Sequence, residues 1–283
     1  MGFEEFFNRG GKRAAIFMSG SGDNARKLLE TRSGAWKAEA LVTDYPENSK
    51  AADIAEQFKI PLVSVPIRNF YATHGLKSIS LATAEGRGVR DLWTAEIRNK
   101  LMPFQIDLGI LAGFVSLCNI ASDFPCLNIH PGDLTYEVDG RRYLTGLHTI
   151  PVERALLAGL PYLRSSVIAI MPYYSEADID AGPILGVSSP VPVDNGGLSL
   201  KELRSIAEKR PTRKPVGGWG DILEKLALKH QSRLKFEGDL KVYSRVVDDY
   251  ANGRFKIHNG RLYYEGSPVK TVEYSPDGTV LIP

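Results

Sequence analysis

Residues 107–133, DLGILAGFVSLCNIASDFPCLNIHPGD, constrain most tightly what this chain can fold into. They hold two short apolar runs, 108–112 and 126–129, each continuous rather than alternating and each closed by glycine or proline. Runs of that kind are buried central strands of a parallel sheet. The second ends in Asn128-Ile129-His130-Pro131. Side chains two apart on a strand share a face, so Asn128 and His130 project together at its carboxyl end. Pro131 then stops the ladder, having no N–H to donate. In an open α/β sheet the ligand crevice lies beyond the carboxyl ends of the strands, which is where this amide and this imidazole stand. Taken alone, the pair is also ordinary turn and core chemistry.

With 283 residues, 43% hydrophobic and 24% charged, the chain can bury a sizeable core, and its net charge of +2 argues for neither a nucleic-acid nor a membrane surface. No apolar run approaches the roughly 18 residues of a membrane span, and MGFEEFFNRGGKR has no signal-peptide core, so a cytoplasmic protein is expected. Cys118 and Cys126, the only cysteines, read as buried thiols and are too few for a structural zinc site. A small molecule is the expected partner, and a homodimer is left open.

Upstream, the run 14–18 leads into Ser19-Gly20-Ser21-Gly22-Asp23-Asn24 and a helical pattern through Ala25, Leu28 and Leu29. Strand, glycine loop and helix gather backbone N–H groups into a nest for an anion such as phosphate. The same residues fit a dinucleotide fingerprint, with Gly20, Gly22 and Ala25 in G-x-G-x-x-A spacing and Asp44 about twenty residues on. A helix over 51–59 and a strand over 61–65 complete a β-α-β-α-β half-sheet. Residues 68–88, polar and broken by three glycines, read as a surface insertion or lid. The periodicity then predicts a helix from Val89 to Leu101, with Leu92, Trp93, Ile97 and Leu101 inward and Arg90 solvated.

Beyond His130, the charged stretch 132–146 is placed to act as a substrate loop, and Pro151 opens a helix. A strand over 166–171 leads to Asp178-Ile179-Asp180-Ala181-Gly182-Pro183 and a strand over 184–193. An Asp beside the strand-end His raises the imidazole pKa and fixes its orientation. Residues 199–254 read as helical, broken by a basic loop at 210–218. Residues 254–282 read as a three-stranded appendage turning at Asn259-Gly260 and Asp277-Gly278.

Together, SGSGDN (19–24), RDLW (90–93), DLGILAGFVSL (107–117), NIHPGDL (128–134), GLH (146–148) and DIDAGPIL (178–185) resemble the folate-dependent formyltransferase family. The resemblance covers residues 12 to 200, with a weaker echo in DDYANGRFKI (248–257). It implies a Rossmann-like, mostly parallel α/β domain over 12–200, followed by a helical segment and small β appendage over 201–283. It implies 10-formyltetrahydrofolate as formyl donor and no metal. Asn128, His130 and Asp180 match the catalytic set of the family. Val115, Ser116, Leu117 and Ile179 match its pterin slot. Gly22, Asp23, Asn24 and Arg90, and weakly Asp239, match its acceptor site.

The chemistry asks for those residue types. An amine attacks the formyl carbon, a fixed donor such as the Asn128 amide holds the developing oxyanion, and that donor is worth about 10²–10³ in rate. A His130 kept partly cationic by Asp180 adds a second donor, and Asp180 takes the amine proton.

The departures concern the acceptor. Asp23 stands where the family's phosphate loop is uncharged, and Ile168 replaces a histidine of the strand before the catalytic Asp. The loop after His130-Pro131 is longer and begins with Gly132. Glycinamide ribonucleotide is the expected acceptor, with another amine such as an amino sugar nucleotide as the alternative. Relatives acting on methionyl-tRNA or hydrolysing formyltetrahydrofolate carry further domains for which the sequence offers no match. An NAD-binding oxidoreductase, resting on Gly20, Gly22, Ala25 and Asp44, is the reading from another class; it leaves Asn128, His130 and Asp180 without a role. A non-catalytic folate or nucleotide binder is the third.

Overall fold

A computed structural model of the chain describes residues 3–173, 178–215 and 217–283. A short helix, α1 (Phe3–Asn8), precedes β1 (Arg13–Phe17), α2 (Asp23–Thr31), β2 (Lys37–Thr43), α3 (Ala51–Phe58) and β3 (Leu62–Ser64). Then come α4 (Ile67–Thr73), α5 (Ala84–Leu101), β4 (Leu108–Leu111) and β5 (Cys126–His130). β1 to β5 are parallel in the order β3-β2-β1-β4-β5, so the strand order reverses at β1 and β4. Ligands of open α/β sheets bind outside the carboxyl ends at such a switch point.

A hairpin, β6 (Glu137–Val138) and β7 (Arg141–Arg142), leads to α6 (Ile150–Ala158), β8 (Tyr162–Leu163) and β9 (Ser166–Ile170). They are followed by β10 (Ile184–Ser188), β11 (Val191–Pro192), α7 (Leu200–Glu208), α8 (Ile222–Leu234) and, after a π-helical turn at Lys235–Asp239, α9 (Leu240–Ala251). The chain ends in β12 (Phe255–His258), β13 (Arg261–Tyr264), β14 (Ser267–Val269), β15 (Thr271–Ser275) and β16 (Gly278–Ile282). The main sheet runs β16-β15-β10-β9-β5-β4-β1-β2-β3, with β9 antiparallel to β5 and β16 antiparallel to β15.

Both faces are covered, which is why the strands read as continuous apolar runs. Ala14, Ile16, Ile110 and Leu127 pack on α2, α3 and α9, while Ala15, Phe17, Val42 and Cys126 pack on α4 and α5. Helices α6, α7 and α8 share a further cluster built on Leu156, Leu203 and Leu223. Among the described residues no helix is long and apolar enough to cross a membrane.

The sequence misplaces four features. Residues 68–88 lie mostly at the surface, as expected, but are not irregular throughout: α4 occupies their start, and α5 begins five residues before Val89, capped by the Thr83 hydroxyl accepting from Gly86 N–H. The helix face toward the core is Val89, Trp93, Ile97 and Leu101, whereas Leu92 is exposed. Residues 184–193 form two strands, β10 and β11, in different sheets. Finally, the C-terminal strands are not one appendage. β12, β13 and β14 form a meander, but β15 pairs in parallel with β10 and so extends the main sheet. Asp249 of α9 binds the two pieces together: its Oδ2 accepts from the hydroxyls of Tyr264 (2.8 Å) and Tyr274 (2.7 Å).

The junction of β10, β15 and α9 has no spare volume. A methyl group at Gly186 meets Val246 Cγ2 at 2.6 Å and Tyr274 Cε2 at 2.7 Å. Overpacking of this kind costs about 1–3 kcal/mol. Gly186→Ala is therefore expected to lower urea stability by that amount at unchanged m-value. An unaltered midpoint would show that α9 moves aside freely.

Candidate active site

β1, β4, β5 and the loop before β10 end around one cavity of about 740 Å³. Its floor is the face of β5 on which Cys126, Asn128 and His130 alternate with Leu127 and Ile129. Cys118 and Cys126 are buried free thiols, and burial pushes the Cys118 thiol up to about 12.

His130 is 3% exposed. Its Nε2 donates to the Leu144 carbonyl at 2.7 Å, so a neutral ring carries its proton there and offers Nδ1 as the free nitrogen. Nδ1 lies 3.6 Å from Asp180 Oδ2. Burial holds the His130 pKa below its ordinary value; Asp180 and the Leu144 carbonyl oppose that shift, and Arg142 adds to it. Asp180 favours the cation, as expected, but desolvation is the larger influence and the net shift is downward.

The loop 132–146 supplies both anchors of this pair. Leu144 holds His130, and the Arg142 guanidinium donates to the backbone carbonyl of Asp180, whose φ of 57° lies in the left-handed region. Arg154 in turn donates to the carbonyls of Tyr143 (3.0 Å) and Thr145 (2.9 Å). The glycines follow from this closeness. A Cβ at Gly132 meets the Leu144 carbonyl oxygen at 2.6 Å, and one at Gly182 meets the Ala169 carbonyl oxygen at 1.8 Å.

Val115, Ser116, Leu117 and Ile179 line one end of the cavity, where Val115 and Ile179 are left exposed. The Ser19 hydroxyl organises this end: it donates to Asp44 at 2.6 Å and accepts from Val115 N–H at 3.0 Å. Asp44, 3% exposed, is thus turned inward on Ser19, where a dinucleotide fingerprint needs it facing a ribose.

At the other end stand Gly22, Asp23, Asn24 and Asp239. Gly22 has φ 71° and enters α2 with no side-chain cap, so Asp23 does not cap this helix. Its carboxylate accepts from the Ser21 hydroxyl at 2.8 Å and pairs with Lys235, which holds its pKa below the usual value. Asp239 accepts from Ser165 Oγ at 2.5 Å and, more distantly, from Asn24 Nδ2 at 3.5 Å; burial pushes it up to about 6.

Arg90 is the matched residue that the cavity does not receive. It is 4% exposed and donates to the carbonyls of Leu117 (2.7 Å) and Ile79 (2.8 Å) and to Tyr71 Oη (3.1 Å), over the rings of Tyr71 and Trp93. Its role is to hold the 115–117 loop from behind. Sequence reasoning missed Lys235, Ser165, Arg142 and the α8 residues Leu228, Gln231 and Ser232. Lys235 and Asp239 do carry a trace, being four apart where a helical pattern puts them on one side.

Asp239 has a consequence for stability. A carboxyl whose folded pKa is about 6 against 3.8 stabilises fully below pH 3.8 and loses that contribution as pH rises through 6. Two pKa units correspond to about 3 kcal/mol. Asp239→Asn is accordingly expected to raise the melting temperature at pH 8 and to leave it little changed at pH 4. A lower value at both would mean that the Ser165 and Asn24 hydrogen bonds outweigh the desolvation.

No family model matches the chain. In sequence it is similar to the phosphoribosylglycinamide formyltransferase of Mycobacterium tuberculosis, 26% identical over 204 residues that cover 70% of this chain and 80% of the relative. In structure it is similar to the phosphoribosylglycinamide formyltransferase of Coxiella burnetii, with TM-score 0.60 and 20% identity over 93% of this chain and 99% of that one. The enzyme of the same name from Anaplasma phagocytophilum gives TM-score 0.60 and 21% identity over 94% and 99%. The chain thus has the formyltransferase fold, and in sequence it is similar to phosphoribosylglycinamide formyltransferase.

Proposed function

We propose that the protein transfers a formyl group from 10-formyltetrahydrofolate to the primary amine of a small acceptor. The observation that carries this reading is the His130–Asp180 pair standing beside Asn128 on one cavity whose ends differ in chemistry. The exposed apolar side chains of Val115 and Ile179, with the 115–117 backbone, fit a flat pterin, and the volume lies within the usual range of about 300–1,000 Å³ for small-molecule sites. The folate supplies an activated formyl group on nitrogen; the protein supplies position and proton transfer.

The Asn128 amide donates to the formyl oxygen as it gains charge. Asp180, directly or through a water, accepts the proton that the amine loses on attacking the formyl carbon. His130 Nδ1, neutral and 3.6 Å away, shares that proton. The pair then returns it to the folate nitrogen as the carbon–nitrogen bond breaks, so the formyl group and one proton exchange places. His130 differs from the sequence expectation in one respect: it enters the cycle as a base, because burial shifts its pKa downward.

His130→Ala and Asp180→Asn are each expected to lower kcat by at least about 10²-fold, with folate-analogue affinity, read by calorimetry, within a few fold of the wild type. The double variant loses little more than the worse single one, since the two act as a unit. Tight NAD binding without folate binding would overturn the reading altogether.

The pH profile carries a separate expectation. A His130 that must be neutral gives activity above its lowered pKa and loses it as pH falls through that value. Arg142→Ala removes a cation that opposes protonation, so the acid limb of kcat/KM moves to higher pH, whereas Arg142→Lys keeps it in place. A limb that stays put while kcat falls would reduce Arg142 to a clamp on the Asp180 loop.

A further inference from the structure

Resting on the formyl-transfer reading, we propose that the acceptor carries no phosphomonoester at the glycine loop and is instead a donor-rich amine, uncharged or cationic, with apolar surface. Three independent features of the acceptor end lead there. The first is that the one lysine lining this end among the described residues is engaged. Lys235 Nζ pairs with the Asp23 carboxylate and donates to Ser21 Oγ at 3.0 Å, while Ser21 Oγ donates to Asp23 at 2.8 Å. The three close a ring across the mouth of the glycine loop. A phosphate dianion entering the nest would have to open that ring and would leave Asp23 unpaired beside it, where like charges repel.

The second feature is Asn24, which is 8% exposed and lines the cavity. Its Nδ2 is directed to Asp239, and its Oδ1 is buried without a partner among the described residues. A buried oxygen left so is costly, and an N–H or O–H of a ligand satisfies it where a phosphate oxygen cannot. Asp23, Asn24 and Asp239 thus present three acceptors in succession. The third feature is α8, whose Leu228, Gln231 and Ser232 line the cavity within two turns of Lys235; Leu147, from the loop before α6, lines the same cavity. Leu228 is 52% and Leu147 58% exposed, apolar surface of the kind that marks a binding site when it lines a groove.

The test uses the full chain saturated with a folate analogue. Inorganic phosphate, titrated by calorimetry, is expected to give no saturable binding to the wild type and a saturable site in Asp23→Ser, which frees Lys235 for the anion. Asp23→Asn, which keeps the shape and removes the charge, behaves likewise. With glycinamide ribonucleotide and its dephosphorylated riboside as paired acceptors, the ratio of kcat/KM favours the riboside in the wild type. Both variants shift that ratio toward the phosphate ester by at least about tenfold. Saturable phosphate binding by the wild type, with a ratio that Asp23→Ser leaves within about twofold, overturns the proposal. The folate-analogue titration that precedes each experiment separates the two levels. Absent folate binding sinks the formyl-transfer reading and this inference with it, whereas folate binding with wild-type phosphate binding sinks the inference alone.

Discussion

The hydrogen bond from His130 Nε2 to the Leu144 carbonyl is the constraint from which the site follows. A ring nitrogen that donates to a carbonyl cannot also accept, so one buried bond fixes the tautomer, the ring plane and the nitrogen left for chemistry. The bond requires residue 144 to lie directly over residue 132. That requirement explains the glycine after His130-Pro131, since any side chain there would meet the Leu144 oxygen. The loop between them is therefore part of the cavity floor: Arg142 reaches across to the Asp180 carbonyl and Arg154 fastens its far end.

Burial decides the electrostatics of this cavity more than pairing does. His130 and Asp239 are displaced in opposite directions by one cause, the removal of water from a group that prefers to be charged. His130 loses its proton more easily and Asp239 holds its proton longer, so both spend more of the neutral range uncharged than they would in water. Under the proposed function, a base whose proton is held weakly and an acid whose proton is held longer than in water suit an amine that must arrive and shed a proton. The cost appears as stability withheld at the site, the usual place for it in enzymes.

What the sequence reveals and conceals divides along physical lines. Strands β1, β4 and β5 are legible because burial on both faces leaves short continuous apolar runs, and Asn128 and His130 follow from the two-residue period of the strand. Gly22 and Gly182 are legible as punctuation, though only coordinates show what each must clear. The stretch 68–88 is misread because Gly86 and Gly88 lie inside a helix, where glycine is disfavoured; Gly86 is there since Ser80 O lies 2.1 Å from where its Cβ would be. Arg90 is misread because a charged residue near a helix start is usually solvated, whereas its five donors here are spent chiefly on carbonyls and an aromatic hydroxyl. β15 is misread because pairing in parallel across more than eighty residues of sequence leaves no local trace, while its hairpin turn with β16 does.

The two ends of the cavity are also built by different means, and that difference bears on how such a site changes. The end proposed for the pterin is made by loops that follow β4 and precede β10, held by main-chain bonds of Val115 N–H to Ser19, itself fixed by Asp44, and of the Leu117 carbonyl to Arg90. Side chains can vary there without moving the backbone that a pterin would meet. The end proposed for the acceptor is made by side chains: Asp23 and Asn24 from α2, Lys235 and Asp239 from the π-helical turn, Leu228 from α8. The turn matters because a π-helical residue adds one position to the helix and rotates everything before it relative to α9. Lys235 and Asp239, four apart, reach the same end of the cavity, one to its mouth and the other to its buried wall. A substitution or a single inserted residue in this part rewrites the set of donors and acceptors without touching Asn128, His130 or Asp180. Under the proposed function, the catalytic floor and the donor slot can thus stay constant while the acceptor changes, and the residues that depart from the resemblance, Asp23 foremost, lie on the side of the cavity where such change is least constrained.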